Sequence, residues 1–267
     1  QSFSFFGARY VTGRLQANGP DPDELEAAIR QSRPAFLYLI PNFQNPAGHC
    51  HSLETRQAIA ALCDRYDVPL VEDNAYGALN YEGADTTPIC AFIERAPWIH
   101  LGTFSKTVMP GLRLGYMAAS TSLFDLLLRL KQSMDIHTSR HVQYVAHRAI
   151  THASFSEHLA RVQSLYAAKR NVMQAALAKH MNGIAEWQTP RGGLFFCLRL
   201  KGPIDVMQTL EDAFDRGIAF MPGDSFFALA SDVEPCIRLS FSLATAEQIE
   251  DGMEKLSQVL HRRLAAP

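Results

Sequence analysis

Lys106 lies in TFSKTVMPGLRLGY, residues 103–116, between hydroxyl residues in an otherwise apolar run, with Arg113 seven positions on. Two readings are open for it. It is a solvated loop lysine, or a partly buried amine whose pKa falls on desolvation, so that the neutral form attacks a carbonyl and makes a Schiff base. Thr103 and Ser105 offer hydroxyl donors, and Arg113 offers the planar cation that recognises phosphate through paired hydrogen bonds. Together they describe an aldehyde bearing a phosphate. In VEDNAYG, residues 71–77, Asp73 and Tyr76 follow a buried run. Asp73 either caps the next turn or stays charged in a partly desolvated pocket beside a proton-donating partner, such as a protonated ring nitrogen. Asn45 precedes Pro46 in NFQNPAG, residues 42–48. That pair biases the backbone toward an extended turn residue and, alone, is only a turn signal. Arg238 in EPCIRLSFS, alone, reads as a surface strand arginine.

The elements that must position these residues alternate. PDPDELEAAIRQS predicts a helix over 20–32, with Asp21 as cap, Pro22 in the first turn and Glu24 completing a capping box. AFLYLIP, 35–41, reads as a strand covered on both faces. A helix follows from Ser52 to Tyr66, with Leu53, Ile59, Leu62 and Cys63 near one face. PLVEDNAY (69–76), WIHLGTFS (98–105) and LRLGYMAA (112–119) are further strands, and a helical pattern starts at 122. Strands alternating with helices predict a mainly parallel α/β sheet with flanking helices, whose functional loops lie beyond the carboxyl ends of the strands. Beyond about 140 the pattern changes. A long helix is predicted from Phe155 to His180, then strands near 184–189 and 193–200, a helix near 204–216, strands near 218–221 and 236–242, and a closing helix from Thr245. The expectation is two domains, 1–150 holding the larger sheet and 151–267 a smaller α+β domain.

With 267 residues, 47% hydrophobic, the chain can bury a substantial core. No apolar run approaches the ~20 residues of a membrane-spanning helix, and no leader-like segment is seen. The net charge of −2 comes with Lys and Arg scattered among Asp and Glu, which argues against a nucleic-acid or membrane partner and for a small molecule. Five dispersed cysteines argue against a disulfide framework or a zinc site. They read as buried thiols of a cytoplasmic protein.

In order and spacing, NPAG, EDNAYG, TFSKTVMPGLRLGY and CIRLSFS resemble the fold-type I pyridoxal-phosphate enzymes. The likeness is to class I/II aminotransferases of the branch that includes 2-aminoadipate and kynurenine aminotransferases, and RGGLFF (191–196) and FMPGDSFF (220–227) extend it over most of the chain. The resemblance implies that Lys106 forms the Schiff base with pyridoxal 5'-phosphate and that Asp73 pairs with the pyridine nitrogen. Asn45 and Tyr76 would bond the ring's 3-oxygen, and Thr103, Ser105 and Arg113 would hold the phosphate. Arg238, with Asn45, would bind the substrate α-carboxylate. It further implies ping-pong transamination between an α-amino acid and a 2-oxo acid, and a homodimer.

Family members carry, ahead of the first matching residue, an N-terminal arm and roughly a hundred residues of the large domain. That portion includes a small-residue phosphate loop and an aromatic residue that stacks on the ring, and nothing in residues 1–34 replaces them. Substrate selectivity is expected from that portion and from loops near 134–140 and 222–227. The alternative from another class is the aminotransferase-like, effector-sensing domain of a MocR/GntR-type transcriptional regulator, with DNA binding upstream of this segment.

Overall fold

Short apolar runs bounded by turn residues become the strands of two sheets. The computed structural model describes residues 2–229 and 233–265. It divides into two units, one of Gly13–Gln44 with His49–Gln163 and the other of Gln1–Thr12, Asn45–Gly48 and Ser164–Pro267.

The first unit opens with a two-stranded hairpin, β1 (Leu15–Gln16) and β2 (Gly19–Pro20), followed by α1 (Pro22–Ser32). As the sequence predicts, Asp21 caps α1. Its side chain accepts from the backbone N–H groups of Asp23 and Glu24, satisfying donors that the helix itself cannot. Then come β3 (Leu37–Leu39), α2 (Leu53–Tyr66), β4 (Leu70–Asn74), β5 (Trp98–Thr103) and β6 (Gly115–Ala119). The sheet order is β3-β4-β5-β6. The first two pairings are parallel, and β6 runs antiparallel to β5. β6 starts three residues later than the predicted strand, because Pro110–Leu112 form a 3₁₀ turn and Arg113 takes a left-handed φ of 48°. Ser52 caps α2 through the Thr55 N–H. The buried face of α2 sets Ile59, Ala60 and Cys63 against Leu70, Ile89 and Ala96. α3 (Thr121–Asp135) and α4 (Arg140–Ile150) complete the unit. α3 has no buried residue and exposes Phe124, Leu126, Leu128, Leu130 and Met134.

The two units divide within α5 (Phe155–His180), whose ends match the sequence expectation. The second unit contains β7 (Ala185–Trp187), β8 (Phe195–Leu200), α6 (Val206–Phe214), β9 (Met221–Pro222), β10 (Cys236–Ser240) and α7 (Ala246–Ala265). Its sheet order is β7-β8-β10-β9, antiparallel throughout. Its buried residues include Phe196 and Leu198 of β8, Ile237 and Leu239 of β10, and Leu256 and Leu260 of α7. Phe196 and Phe241 meet edge to face at 5.9 Å. All five cysteines are free. Cys63 and Cys236 are buried as expected, whereas Cys50, Cys90 and Cys197 are only half-buried, lying in loops or at partly covered sheet faces.

The buried face of α2 also carries polar groups. Arg56 is wholly buried, and His51, just before the helix, is 2% exposed. Burial, and next the Arg56 charge, push the His51 pKa down to about 4. This histidine stays neutral in the fold but takes up a proton near pH 6.5 when unfolded. The unfolded chain therefore binds more protons between those values, and stability is lost as pH falls from about 6.5 toward 4. A shift of this size is worth roughly 3 kcal/mol in full, of which roughly 2–3 kcal/mol falls between pH 7 and pH 4.5. Urea unfolding of wild type and His51→Gln at pH 7 and pH 4.5 should show that much smaller a pH loss in the variant. Equal losses in both would contradict the assignment.

Candidate active site

Because β3, β4 and β5 run parallel, their carboxyl ends lie along one edge of the sheet. That edge carries Asp73 and Asn74 at the end of β4 with Tyr76 just beyond, and Thr103 at the end of β5 with Ser105 and Lys106 just beyond. The Lys106 ammonium lies 5.8 Å from the centre of the ring of Tyr76. Tyr76 is buried and Lys106 half-buried, so the amine is neither freely solvated nor sealed in the core. It sits in a turn held by the Phe104 carbonyl, which accepts from the N–H groups of Val108 and Met109. His158 Nε2 and the Thr107 carbonyl are 2.9 Å apart. The hydroxyls of Thr103 and Ser105 are 3.0 Å apart, and Thr103 Oγ1 also accepts from the Ser105 N–H at 3.1 Å. Arg113 is exposed, and its Nη1 donates to Pro110 O at 3.0 Å. Its turn nevertheless adjoins the hydroxyl pair, since Thr103 Oγ1 lies 3.4 Å from Leu114 O.

A chain of side chains absent from the sequence expectations fixes the end of β4. Arg56 Nη2 donates to Asn42 Oδ1 at 2.6 Å, Asn42 Nδ2 donates to Asn74 Oδ1 at 2.8 Å, and the Gly77 N–H donates to the same oxygen at 3.1 Å. A Cβ on Gly77 would come within 2.3 Å of Asn74 Oδ1, so only glycine admits this approach. The helical spacing of Arg56, three residues before Ile59, was the available signal. It puts a charged residue on the buried stripe, where an arginine needs several acceptors.

Asp73 Oδ2 accepts from Tyr38 Oη at 2.7 Å. Burial, then the bond to Asp73 and its charge, push the Tyr38 hydroxyl up, so it remains a donor. Strand alternation foreshadows the pair. Tyr38 is in register with Val71, and Val71 and Asp73 point to the same face of β4. Tyr38→Phe removes a hydrogen bond to a carboxylate and is expected to lower the unfolding free energy by about 1–2 kcal/mol in urea titration. No change would mean that the bond contributes nothing.

In the second unit, Arg238 of β10 donates from Nη1 to Asn45 Oδ1 at 2.8 Å. Its guanidinium carbon stands 4.2 Å from the centre of the Phe195 ring and 5.1 Å from that of Phe226. Two rings and an amide fix the plane of this cation, and a fixed guanidinium plane suits paired recognition of a carboxylate. Phe195 and Phe226 lie in RGGLFF and FMPGDSFF, but the sequence reading assigned them no role beside Arg238.

A profile of the family described as aminotransferase class I and II matches residues 7–256. The 2-aminoadipate transaminase of Thermus thermophilus is 33% identical over 268 residues, covering 99% of this chain and 67% of that protein. A crystal structure of Pyrococcus horikoshii kynurenine aminotransferase, in complex with PMP and with KYN as substrate and KYA as product, matches with a TM-score of 0.94. Its identity is 31%, over 99% of this chain and 67% of that one. An uncharacterized HTH-type transcriptional regulator of Bacillus subtilis is 29% identical over 254 residues, covering 93% of this chain and 52% of the regulator. The chain spans between about half and two thirds of the length of the curated relatives it matches, 65% and 64% of two others.

Proposed function

This chain belongs to the class I and II aminotransferases, and from that premise we propose that it carries the lysine half of a pyridoxal 5'-phosphate site that moves an amino group between an α-amino acid and a 2-oxo acid. The observation that carries the proposal is the half-buried Lys106 amine over Tyr76 at a sheet edge. A carboxylate on the neighbouring strand end and a hydroxyl pair on its own lie along the same edge.

The donor set fits the cofactor. Lys106 supplies an amine for its aldehyde and Asp73 a carboxylate for its ring nitrogen. Thr103 and Ser105 supply hydroxyls for its phosphate, with Arg113 as the accompanying cation. Tyr76 supplies a donor for its ring oxygen. PMP, found in the Pyrococcus horikoshii enzyme, is the amine form of the same cofactor, which supports the assignment.

Bound pyridoxal phosphate supplies an aldehyde that captures the substrate amine and a ring that takes up the electrons released at Cα. Lys106 would hold that aldehyde at rest, and its amine, once free, would be the base that takes the proton from substrate Cα. Asp73 would pair with the protonated ring nitrogen, and the Tyr38 hydroxyl, which donates to Asp73 Oδ2, orients that carboxylate. Arg238 takes the α-carboxylate of the amino acid, and Asn45 orients Arg238. A 2-oxo acid leaves, and a second one reverses the steps, giving ping-pong kinetics.

The proposed assembly is a homodimer, supported by the exposed apolar row on α3, and the proposed location is the cytoplasm. Among the described residues, no helix is long and apolar enough to cross a membrane.

The test uses the full-length gene product loaded with pyridoxal phosphate and a panel of amino acids, followed by absorption and by release of 2-oxo acid. Conversion of the bound cofactor by one amino acid, and its restoration by an oxo acid, is the expected result. A second reading, an effector-sensing domain of a regulator, draws on the similarity to the Bacillus subtilis protein. A cofactor band that forms but never converts would favour it over the enzyme.

A further inference from the structure

The face of the sheet opposite Asp73 holds a second cluster that transamination does not use. Glu72 and His100 are register partners on the parallel strands β4 and β5. The 3₁₀ turn Ile89–Phe92 covers them, and in it the Cys90 N–H donates to Glu72 Oε2 at 3.1 Å. One ligand atom from each of Glu72, Cys90 and His100 lies within 4.8 Å of the others, and His100 Nδ1 is 3.6 Å from Glu72 Oε2. Glu72 is wholly buried and His100 is 8% exposed. Glu72 Oε1 and His100 Nδ1 are both buried without a hydrogen-bond partner among the described residues. A carboxylate oxygen and an imidazole nitrogen left open side by side in a core are costly unless a shared cation or proton satisfies them.

We propose that Glu72, Cys90 and His100 form a binding site for one divalent cation of the zinc class. Bonds of about 2.0–2.3 Å to a tetrahedral ion set ligand atoms roughly 3.3–3.7 Å apart. The 3.6 Å between His100 and Glu72 already matches that edge, and the remaining separations, within 4.8 Å, need to contract by at most about 1.5 Å. One thiol, one imidazole and one carboxylate suit zinc. Calcium and magnesium prefer six or more oxygens.

Without a cation the Cys90 thiol keeps its proton, because burial and then the Glu72 charge push its pKa up to about 12. On binding, a metal–sulfur bond forms, the thiol proton leaves to water, and no electrons change hands. Cys90 is half-buried, so the ion enters from its side. The fourth ligand is then water. The ion would pin the 3₁₀ turn to the strand that also carries Asp73, making the site structural. The dispersed cysteines hid it from the sequence, since the three ligands are 10 to 28 residues apart and each comes from a different element.

The test uses the full-length gene product, freed of metal with a chelator and titrated with zinc chloride and, separately, cobalt chloride. The expected result is one equivalent bound per chain, with visible cobalt bands of a four-coordinate site, and at least ~10-fold weaker binding in both Cys90→Ala and His100→Gln. The half-buried Cys90 makes its alanine variant the one that folds normally. Binding of well under one equivalent at micromolar zinc, or wild-type affinity in either variant, overturns the proposal.

Discussion

Lys106→Ala is expected to abolish the absorption band of cofactor joined to the chain, and to cut turnover of the full-length gene product by at least ~10⁴-fold, about 5 kcal/mol of barrier. The size follows from two duties. In the proposed role Lys106 would hold the cofactor aldehyde at rest, and its amine would act as the base at substrate Cα. No neighbour can stand in. Ser105, Thr107 and Tyr76 offer hydroxyls, which are far weaker bases than an amine at neutral pH. Exogenous methylamine should restore part of the turnover, because a small diffusible amine can reach a turn that is only half-buried. Lys106→Arg separates charge from chemistry. It keeps a cation near the Tyr76 ring but has no neutral amine to offer, so it should be as inactive as alanine. A variant that keeps the band, or within tenfold of wild-type turnover, would refute the assignment of Lys106.

The elements that bring this lysine to the sheet edge were legible because local signals agreed. The cap at Asp21, the strands β3 and β5, and the span of α5 all appear where patterning predicts them. Polar groups at strand ends were legible for the same reason, since parallel strands expose functional loops at one edge.

Three kinds of information were not. The left-handed backbone at Arg113 shortens a predicted strand, because a non-glycine residue with positive φ gives no compositional warning. The Tyr38–Asp73 bond depends on register between strands 35 residues apart, which a single strand's pattern does not encode. Glu72 and Asp73 are adjacent in the sequence, but strand alternation sends them to opposite faces, one wholly buried with Cys90 and His100 and one toward Tyr38.

Arg56 is the residue whose loss is expected to cost the fold most. Its guanidinium lies wholly buried and donates to four backbone carbonyls and one side-chain amide: from Nε to His51 O at 3.1 Å, from Nη1 to Thr87 O at 3.0 Å, and from Nη2 to Pro41 O at 3.2 Å, Asp85 O at 3.1 Å and Asn42 Oδ1 at 2.6 Å. Five oxygen acceptors from three loop segments thus share one cation, with Cys50 Sγ 3.6 Å from Nη2 besides. Arg56→Ala leaves them without a donor and opens a cavity, and each buried acceptor left unsatisfied costs about 1–3 kcal/mol. Even if water or relaxation recovers most of them, a loss of at least ~4 kcal/mol is expected. That corresponds to a fall in melting temperature on the order of 10 °C for a chain of this size.

Arg56→Lys keeps the charge but has only three donors on one nitrogen, so it should recover about half of that. The hydrogen-bond part of the loss should not grow in acid, since all five acceptors are neutral. Removing the Arg56 charge should also ease protonation of His51, on which that charge acts after burial. The alanine variant is therefore expected to lose less stability than wild type between pH 6.5 and 4 while starting from a lower value. Urea titrations of the three proteins at pH 7 and pH 4.5 separate the two effects. A loss below about 1 kcal/mol in Arg56→Ala would show that the loops hold without their clamp.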